Sequence, residues 1–293
     1  MIVIETLEGV RALARSPVGL VPTMGFLHEG HLGCVAAIAD RARTVVMSLF
    51  VNPIQFDNAG DLARYPRDLE RDAALAEDAG VEVLFVPSLT EMYPVEPATR
   101  VHVAGVTDAM EGARRPGHFD GVATVVAKLL AGIQPDVAAF GRKDAQQLAV
   151  VTTMSKDLSF PVEILGVPTV REEDGLALSS RNVRIEDREA ALGLSQGLFA
   201  AADAVEAGER DGAALEGIVS STASAAGAAV QYATLAARDT AQPIARLESE
   251  AFLGVAATVG DVRLIDNVFL GPDGSADRGT RLDRPSVLYR EGR

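Results

Sequence analysis

Cysteine is nearly missing from this chain. Cys34 stands alone among 293 residues, so neither an internal disulfide nor a cysteine-based zinc site can form, and with no secretory leader at the start the expected compartment is cytoplasmic. Lysine is scarce as well, at Lys128, Lys143 and Lys156 only. Basic residues number 27 against 41 acidic ones, a formal charge of −14, and no stretch concentrates them. No nucleic acid is therefore expected as a partner, while a small anion held at a local site remains open. Long apolar runs are lacking too: Thr44 to Val51 is about eight residues where a bilayer needs ~20, so no membrane span is expected. What is present is a composition 48% hydrophobic and 23% charged, apolar enough for one large or two moderate domains and unlike a disordered chain.

The first half alternates short β-branched runs with helical patterns, which implies a parallel sheet covered by helices. Strands are expected at Val18–Pro22, Thr44–Val51, Val81–Val86, Asp136–Phe140 and Val162–Val167. Helices are expected at Gly30–Arg41, Pro66–Ala79, Val122–Ile133 and Asp144–Asp157. The second of these helices has Pro at a first-turn position and Gly80 as a left-handed cap. Residues 1–169 thus read as an α/β domain, doubly wound and Rossmann-like. From Val170 a polar segment, Ala-rich helical patterns (Glu186–Gly208, Asp211–Ala226) and renewed strands (Val230–Ala236, Phe252–Val259, Val262–Phe269) suggest a smaller α+β C-terminal domain over 170–293. Gly271–Arg293 reads as a loosely ordered tail.

In open parallel sheets ligands sit beyond the carboxyl ends of the strands, and four polar clusters fall at or near such places. Pro22 to His31 holds two of the four histidines, His28 and His31, beside Gly25 and Gly30. A helix starting there would offer free backbone N–H groups and its positive end to a phosphate, with both imidazoles as donors. A zinc-protease pair needs histidines four apart, and these are three apart. The plainer alternative is that His28 caps the helix and His31 is a partly exposed helical residue. Asn52 to Phe56 follows the second strand; its amides suit a hydroxyl or carbonyl, or simply a turn. Phe140 to Gln147 places Lys143 and Asp144 at a helix start, as phosphate and ribose ligands or as a capped start with a surface ion pair. Gln147 lies one turn from Lys143. Asp174 to Asn182, with Ser179, Ser180 and Arg181 after Gly175, reads as a mobile phosphate clamp or as an ordinary polar turn.

Together these segments resemble the pantothenate synthetase (pantoate:β-alanine ligase) family of the nucleotidylyltransferase superfamily. The resemblance is carried by PTMGFLHEGH at Pro22–His31, FVNPIQF at Phe50–Phe56, LARYPRDLERD at Leu62–Asp72, RPGHFDGVATVVAKL at Arg115–Leu129, FGRKDAQQL at Phe140–Leu148 and VREEDGLALSSRN at Val170–Asn182. It implies ATP-dependent condensation of pantoate with β-alanine through an enzyme-bound pantoyl adenylate, releasing AMP and pyrophosphate, in a homodimer. By position, Met24, Gly25, Phe26, Leu27, His28, Glu29, Gly30 and His31 would line the ATP phosphates. Gly141, Arg142, Lys143 and Asp144 would hold phosphate and ribose, Val170 would contact adenine, and Leu178, Ser179, Ser180 and Arg181 would form a closing loop. His28, His31, Lys143 and Arg181 would be catalytic, and Gln55 and Gln147 would bind pantoate. Mg2+ would arrive on ATP, with Asp72 nearby at most and no residue assigned as a metal ligand.

Some positions depart from the usual family pattern: Arg142 where Glu or Gln is common, Ala145 where an aromatic is common, and Gly33-Cys34 where a bulkier pair is common. A related cytidylyl- or adenylyltransferase, or a silent nucleotide sensor, would share the His-x-x-His element; the neutral Gln55 and Gln147 argue against a phosphorylated second substrate.

Overall fold

The computed structural model describes residues 1–95 and 97–289. Its main sheet has six parallel strands: β1 (Ile2–Ile4), β2 (Val18–Thr23), β3 (Thr44–Leu49), β4 (Val83–Phe85), β5 (Val137–Gly141) and β6 (Glu163–Val167), in the order β1-β4-β3-β2-β5-β6. Around it lie α1 (Leu7–Leu13), α2 (Glu29–Ala39), α3 (Ala59–Arg64), α4 (Leu69–Asp78), α5 (Leu89–Met92), α6 (Met110–Arg114), α7 (His118–Ile133) and α8 (Ala145–Asp157). Both sheet faces are covered, which is why β2 and β3 are nearly unbroken apolar runs. Leu20, Val46 and Phe85 join the core under α7 and α8, while Val21, Met47 and Leu84 face Val35 and Ile38 of α2 and Ala76 of α4.

The chain leaves β2 toward β3 and β4 on one side and returns to β5 and β6 on the other. The crevice where the strand order reverses therefore opens between the carboxyl ends of β2 and β5. The segments after those two strands, from Met24 and from Arg142, are brought together there although more than a hundred residues separate them.

Past this sheet come β7 (Val170–Arg171), α9 (Arg188–Glu206), α10 (Gly212–Ala225), β8 (Ala229–Ala237), β9 (Ala251–Val259), β10 (Val262–Leu270), β11 (Ala276–Asp277) and β12 (Thr280–Arg281). Strands β8 to β11 form an antiparallel sheet in the order β11-β10-β9-β8. Leu194, Leu198, Leu215, Val219, Leu253, Val255 and Val268 fill the space between it and the two helices. The small residues of α9 have a packing reason: a Cβ on Gly197 would lie 2.9 Å from the Val219 carbonyl oxygen of α10.

Three expectations are corrected. Pro66 does not open a helix; α4 starts at Leu69, capped by Asp68, whose side chain accepts from Arg71 N, because the carboxylate satisfies an N–H that Pro66 could not reach. The left-handed Gly80 after it, at φ +90°, is as expected. Helix α7 starts four residues earlier than Val122, at His118 after a left-handed Gly117. Finally, Gly271–Tyr289 is not loose: it contains β11 and β12, the latter parallel to β7, and a 3-10 turn at Val287–Tyr289. Residues 290–293 of that expected tail lie outside the described residues.

Candidate active site

The loop after β2 turns sharply through left-handed Gly25 (φ +88°) and Phe26 (φ +53°). Asp72 of α4 holds it: one carboxylate oxygen accepts from Phe26 N at 2.6 Å and the other from Leu27 N at 2.7 Å. Arg71 supports the same loop, donating to Leu27 O at 2.9 Å and stacking on the Phe26 ring. Asp72 is thus a structural clamp. Burial pushes its carboxyl up, against the opposing pull of the two N–H donors and Arg71. A periodic signal was present, since Asp72 and Ala76 lie four apart on the buried face of α4.

At the start of α2, His28 Nδ1 accepts from Gly30 N at 3.1 Å, and His31 Nδ1 accepts from His28 N at 3.3 Å. The two imidazoles form a reciprocal capping box. The plainer reading of His28 as a cap is therefore correct, and so is its place beside the crevice, because a capping ring still has a second nitrogen. With Nδ1 as acceptor, each neutral ring carries its proton on Nε2. Both rings are held neutral. His31 is lowered to about 4, by burial first, with Arg71 and Lys143 adding and Asp144 opposing. His28, 7% exposed, is held well below the ordinary value by burial, then by His31, Lys143 and Arg71.

The same geometry narrows the expected free helix N-terminus to the Glu29 N–H, which has no partner among the described residues. The N–H groups of Gly25, Phe26, Leu27, His28, Gly30 and His31 all have partners within the chain. Side-chain donors, rather than this row of amides, are what the crevice presents. Gly25, Phe26, Leu27 and Glu29 do not line it. Leu27 is fully buried in the core, and Glu29 turns toward the 286–287 segment, accepting from Ser286 Oγ and Val287 N.

Met24, His28, Gly30, His31, Gln55, Gly141, Lys143, Asp144, Gln147, Val170 and the 178–181 run do converge, on an inner cavity of ≈ 220 Å³. Lys143 is largely buried, its nearest acidic atom being Asp144 Oδ1 at 4.0 Å. Asp144 does not cap α8 with its side chain, which is half-exposed instead. Arg142 is paired with Asp277 at 2.7 Å and stacked on Phe269, and it does not line the cavity, contrary to the expectation that it holds phosphate or ribose. Cys34 borders the cavity as a buried thiol pushed up to about 12 by burial, which leaves it unionised and a poor nucleophile.

Asn52 borders the inner cavity but is only 1% exposed, and its amide is committed to partners within the chain. Its amide donates to Gln55 Oε1 at 3.0 Å and to Gly121 O, and its carbonyl accepts from Tyr93 OH. It sets the rotamer of Gln55, whose Nε2 contacts the Met24 sulfur at 3.2 Å. Gln147 has no side-chain hydrogen bond among the described residues. Val122, Val125, Val126 and Leu129 of α7 add an apolar lining to the same cavity, a role not assigned to them from sequence.

The Arg171–Asn182 segment, expected to be mobile, has a fixed base. Arg171, 1% exposed, makes a bidentate pair with Asp266 (2.7 and 3.0 Å) and donates to Asn267 O, and Asn182 bonds to Glu172 and Ala177 O. Ser180 Oγ donates to Phe26 O, joining this segment to the β2 loop. Arg181 is held by Asp61 at 2.9 Å.

A wider cleft of ≈ 760 Å³ adjoins the cavity, sharing Met24, Gln55, Lys143, Asp144, Gln147, Ser179 and Arg181 with it. Its walls carry groups not singled out from sequence: His118, whose Nδ1 donates to Gln55 O at 2.7 Å, Arg115 on Asp57, and Arg263 paired with Glu111. Burial and Arg115 lower His118 to about 4.

A family model described as pantoate-beta-alanine ligase matches residues 2–269. A pantothenate synthetase from Heliobacterium modesticaldum is 48% identical over 277 residues, covering 92% of this chain and 99% of that protein. One from Moorella thermoacetica is 47% identical over the same shares of the two proteins. Among solved structures, pantothenate synthetase from Thermus thermophilus superposes with a TM-score of 0.87 at 47% identity, over 91% of this chain and 98% of that one. A pantoate-beta-alanine ligase from Francisella tularensis, complexed with beta-gamma ATP and beta-alanine, superposes with a TM-score of 0.71 at 31% identity, over 91% and 97%.

Proposed function

Since this chain belongs to the pantoate-β-alanine ligase family, we propose that its crevice joins pantoate to β-alanine at the expense of ATP through a pantoyl adenylate. The observation that carries this reading is the set of groups gathered on one inner cavity: Lys143 and the two imidazoles, the amides of Gln55 and Gln147, and the valines of α7.

Lys143 and the imidazoles suit the ATP phosphates. The two amides suit the hydroxyls and carboxylate of pantoate, and the apolar side chains of α7 suit its two methyl groups. A pantoate oxygen held there attacks the α-phosphorus in line, and pyrophosphate leaves; the β-alanine nitrogen then attacks the acyl carbon, and AMP leaves. No protein nucleophile is needed, so the chain acts by positioning and by meeting developing negative charge with fixed donors. Neutral imidazoles do this without a proton change. Val170 is left for adenine, the 178–181 run is the loop that closes on the phosphates, and the C-terminal domain over 170–293 acts as the cover that keeps water from the adenylate.

Mg2+, which neutralises phosphate charge, rides on ATP in this reading. The donor set supports that: both Asp72 oxygens are taken by backbone N–H groups, and Asp144 is the one carboxylate lining the inner cavity among the described residues.

The deciding experiment mixes the protein with ATP, Mg2+, pantoate and β-alanine and follows pantothenate and AMP. Equal amounts of both are expected. ATP binding without AMP would indicate a sensor, and turnover of CTP a cytidylyltransferase.

A further inference from the structure

The family-model match ends at residue 269, yet the chain beyond it returns to the crevice loop. Ser286, Val287 and Leu288 are consecutive and buried, at 3, 7 and 3% exposed. They rest on the start of α2. Val287 N donates to Glu29 Oε1 at 2.8 Å, Ser286 Oγ donates to the other Glu29 oxygen, and Val287 O accepts from Arg71 Nη2 at 2.9 Å. That guanidinium nitrogen also donates to Leu27 O, and its neighbour pairs with Asp72. One residue on, Tyr289 OH donates to Glu172 Oε1 at 2.7 Å, and Glu172 also receives Asn182 and Arg188. The segment therefore ties together the loop carrying His28 and His31 and the segment carrying Ser179 to Arg181.

We propose that Ser286–Tyr289 is a positioning element for the nucleotide, and that its main task is to hold the Glu29 carboxylate away from the phosphates. The inference rests on the ATP reading above. Glu29 is in the first turn of α2, two residues before His31, on the element whose start faces the crevice. A negative side chain free to swing there would repel ATP. The two donors from 286 and 287 hold it, and it does not line the cavity. The same contact completes the partners of Arg71, whose side chain is mostly buried and which braces the bent loop beneath the histidines.

The test compares the unaltered chain with one ended after Arg284, with Ser286→Ala, and with Glu29→Gln placed in the shortened chain. ATP and pantoate affinities are read by calorimetry, and folding by thermal unfolding. The shortened chain should bind ATP about tenfold more weakly, with pantoate changed less than about twofold. Glu29→Gln should recover most of the lost ATP affinity, which a merely structural role would not allow. A synthetic peptide covering residues 282–289 should recover it as well. Unchanged ATP affinity in a folded shortened chain overturns the proposal, as does a loss shared equally by pantoate and not relieved by Glu29→Gln. If the shortened chain does not unfold cooperatively, Ser286→Ala decides: weaker ATP binding by about threefold supports the proposal and unchanged binding overturns it. An unaltered chain that binds ATP but makes no pantothenate fails the proposed function alone; one that binds no ATP fails both.

Discussion

His28 and His31 each accept a main-chain N–H at Nδ1, and their ring centres lie 4.1 Å apart. The arrangement orients two imidazoles by the same bonds that begin the helix. His31→Ala should lower the rate of adenylate formation by ~10²–10³. It should also cost about 1 kcal/mol of stability, because half of the capping box is lost. Full activity of the purified variant would remove His31 from the mechanism.

Acid should destabilise the protein through its neutral histidines. An unfolded imidazole takes up a proton near 6.5, whereas His31 and His118 in the fold do so only at about 4. Between those values the unfolded state binds more protons, so this contribution is complete above pH 6.5 and is lost as the pH falls toward 4. Each ring accounts for about 1–3 kcal/mol over that window. The urea midpoint of His118→Asn should therefore approach that of the unaltered protein as the pH drops from 7 to 4.5. A gap of constant size would show that His118 does not titrate as its surroundings require.

Gln55 and Gln147 should separate the two substrates. Replacing either with Ala should weaken pantoate binding by about 1–3 kcal/mol and leave ATP binding nearly unchanged. Asn52→Ala should give a smaller loss of the same kind, since Asn52 acts by fixing Gln55. If ATP affinity collapses while pantoate affinity holds, the assignment of these amides to pantoate is wrong.

The central strands were legible in sequence because a strand buried on both faces is a continuous apolar run, as in Val18–Thr23 and Thr44–Leu49. The motif residues His28, His31, Lys143 and Gln147 were legible because they follow such strands or open the next helix. Strand β1 was not, being three residues long at the sheet edge, with Ile2 and Val3 exposed. Nor was the order of residues 286–289, which depends on Glu29, 257 positions away in the chain from Ser286. Local pattern carries no information about such a contact. Arg142 and Glu29 show the converse limit: each lies within a matching motif, and each is drawn off the crevice by a partner remote in sequence.

Arg181 begins in a contact that competes with its proposed role. Its guanidinium pairs with Asp61 at 2.9 Å, and Arg184 approaches the same carboxylate at 3.8 Å. To meet the phosphates Arg181 must exchange Asp61 for phosphate oxygens, so its contribution belongs after initial ATP binding. Arg181→Lys keeps the charge and loses the planar fork. It should slow single-turnover adenylate formation about tenfold while ATP affinity changes less than about threefold. Asp61→Asn removes the competitor and should tighten ATP binding, with less effect on the chemical step. The two variants thus move different constants. An Arg181→Lys protein with weakened ATP binding and a normal single-turnover rate would mean that the arginine contacts the nucleotide from the outset, and that the Asp61 pair is not part of the catalytic cycle.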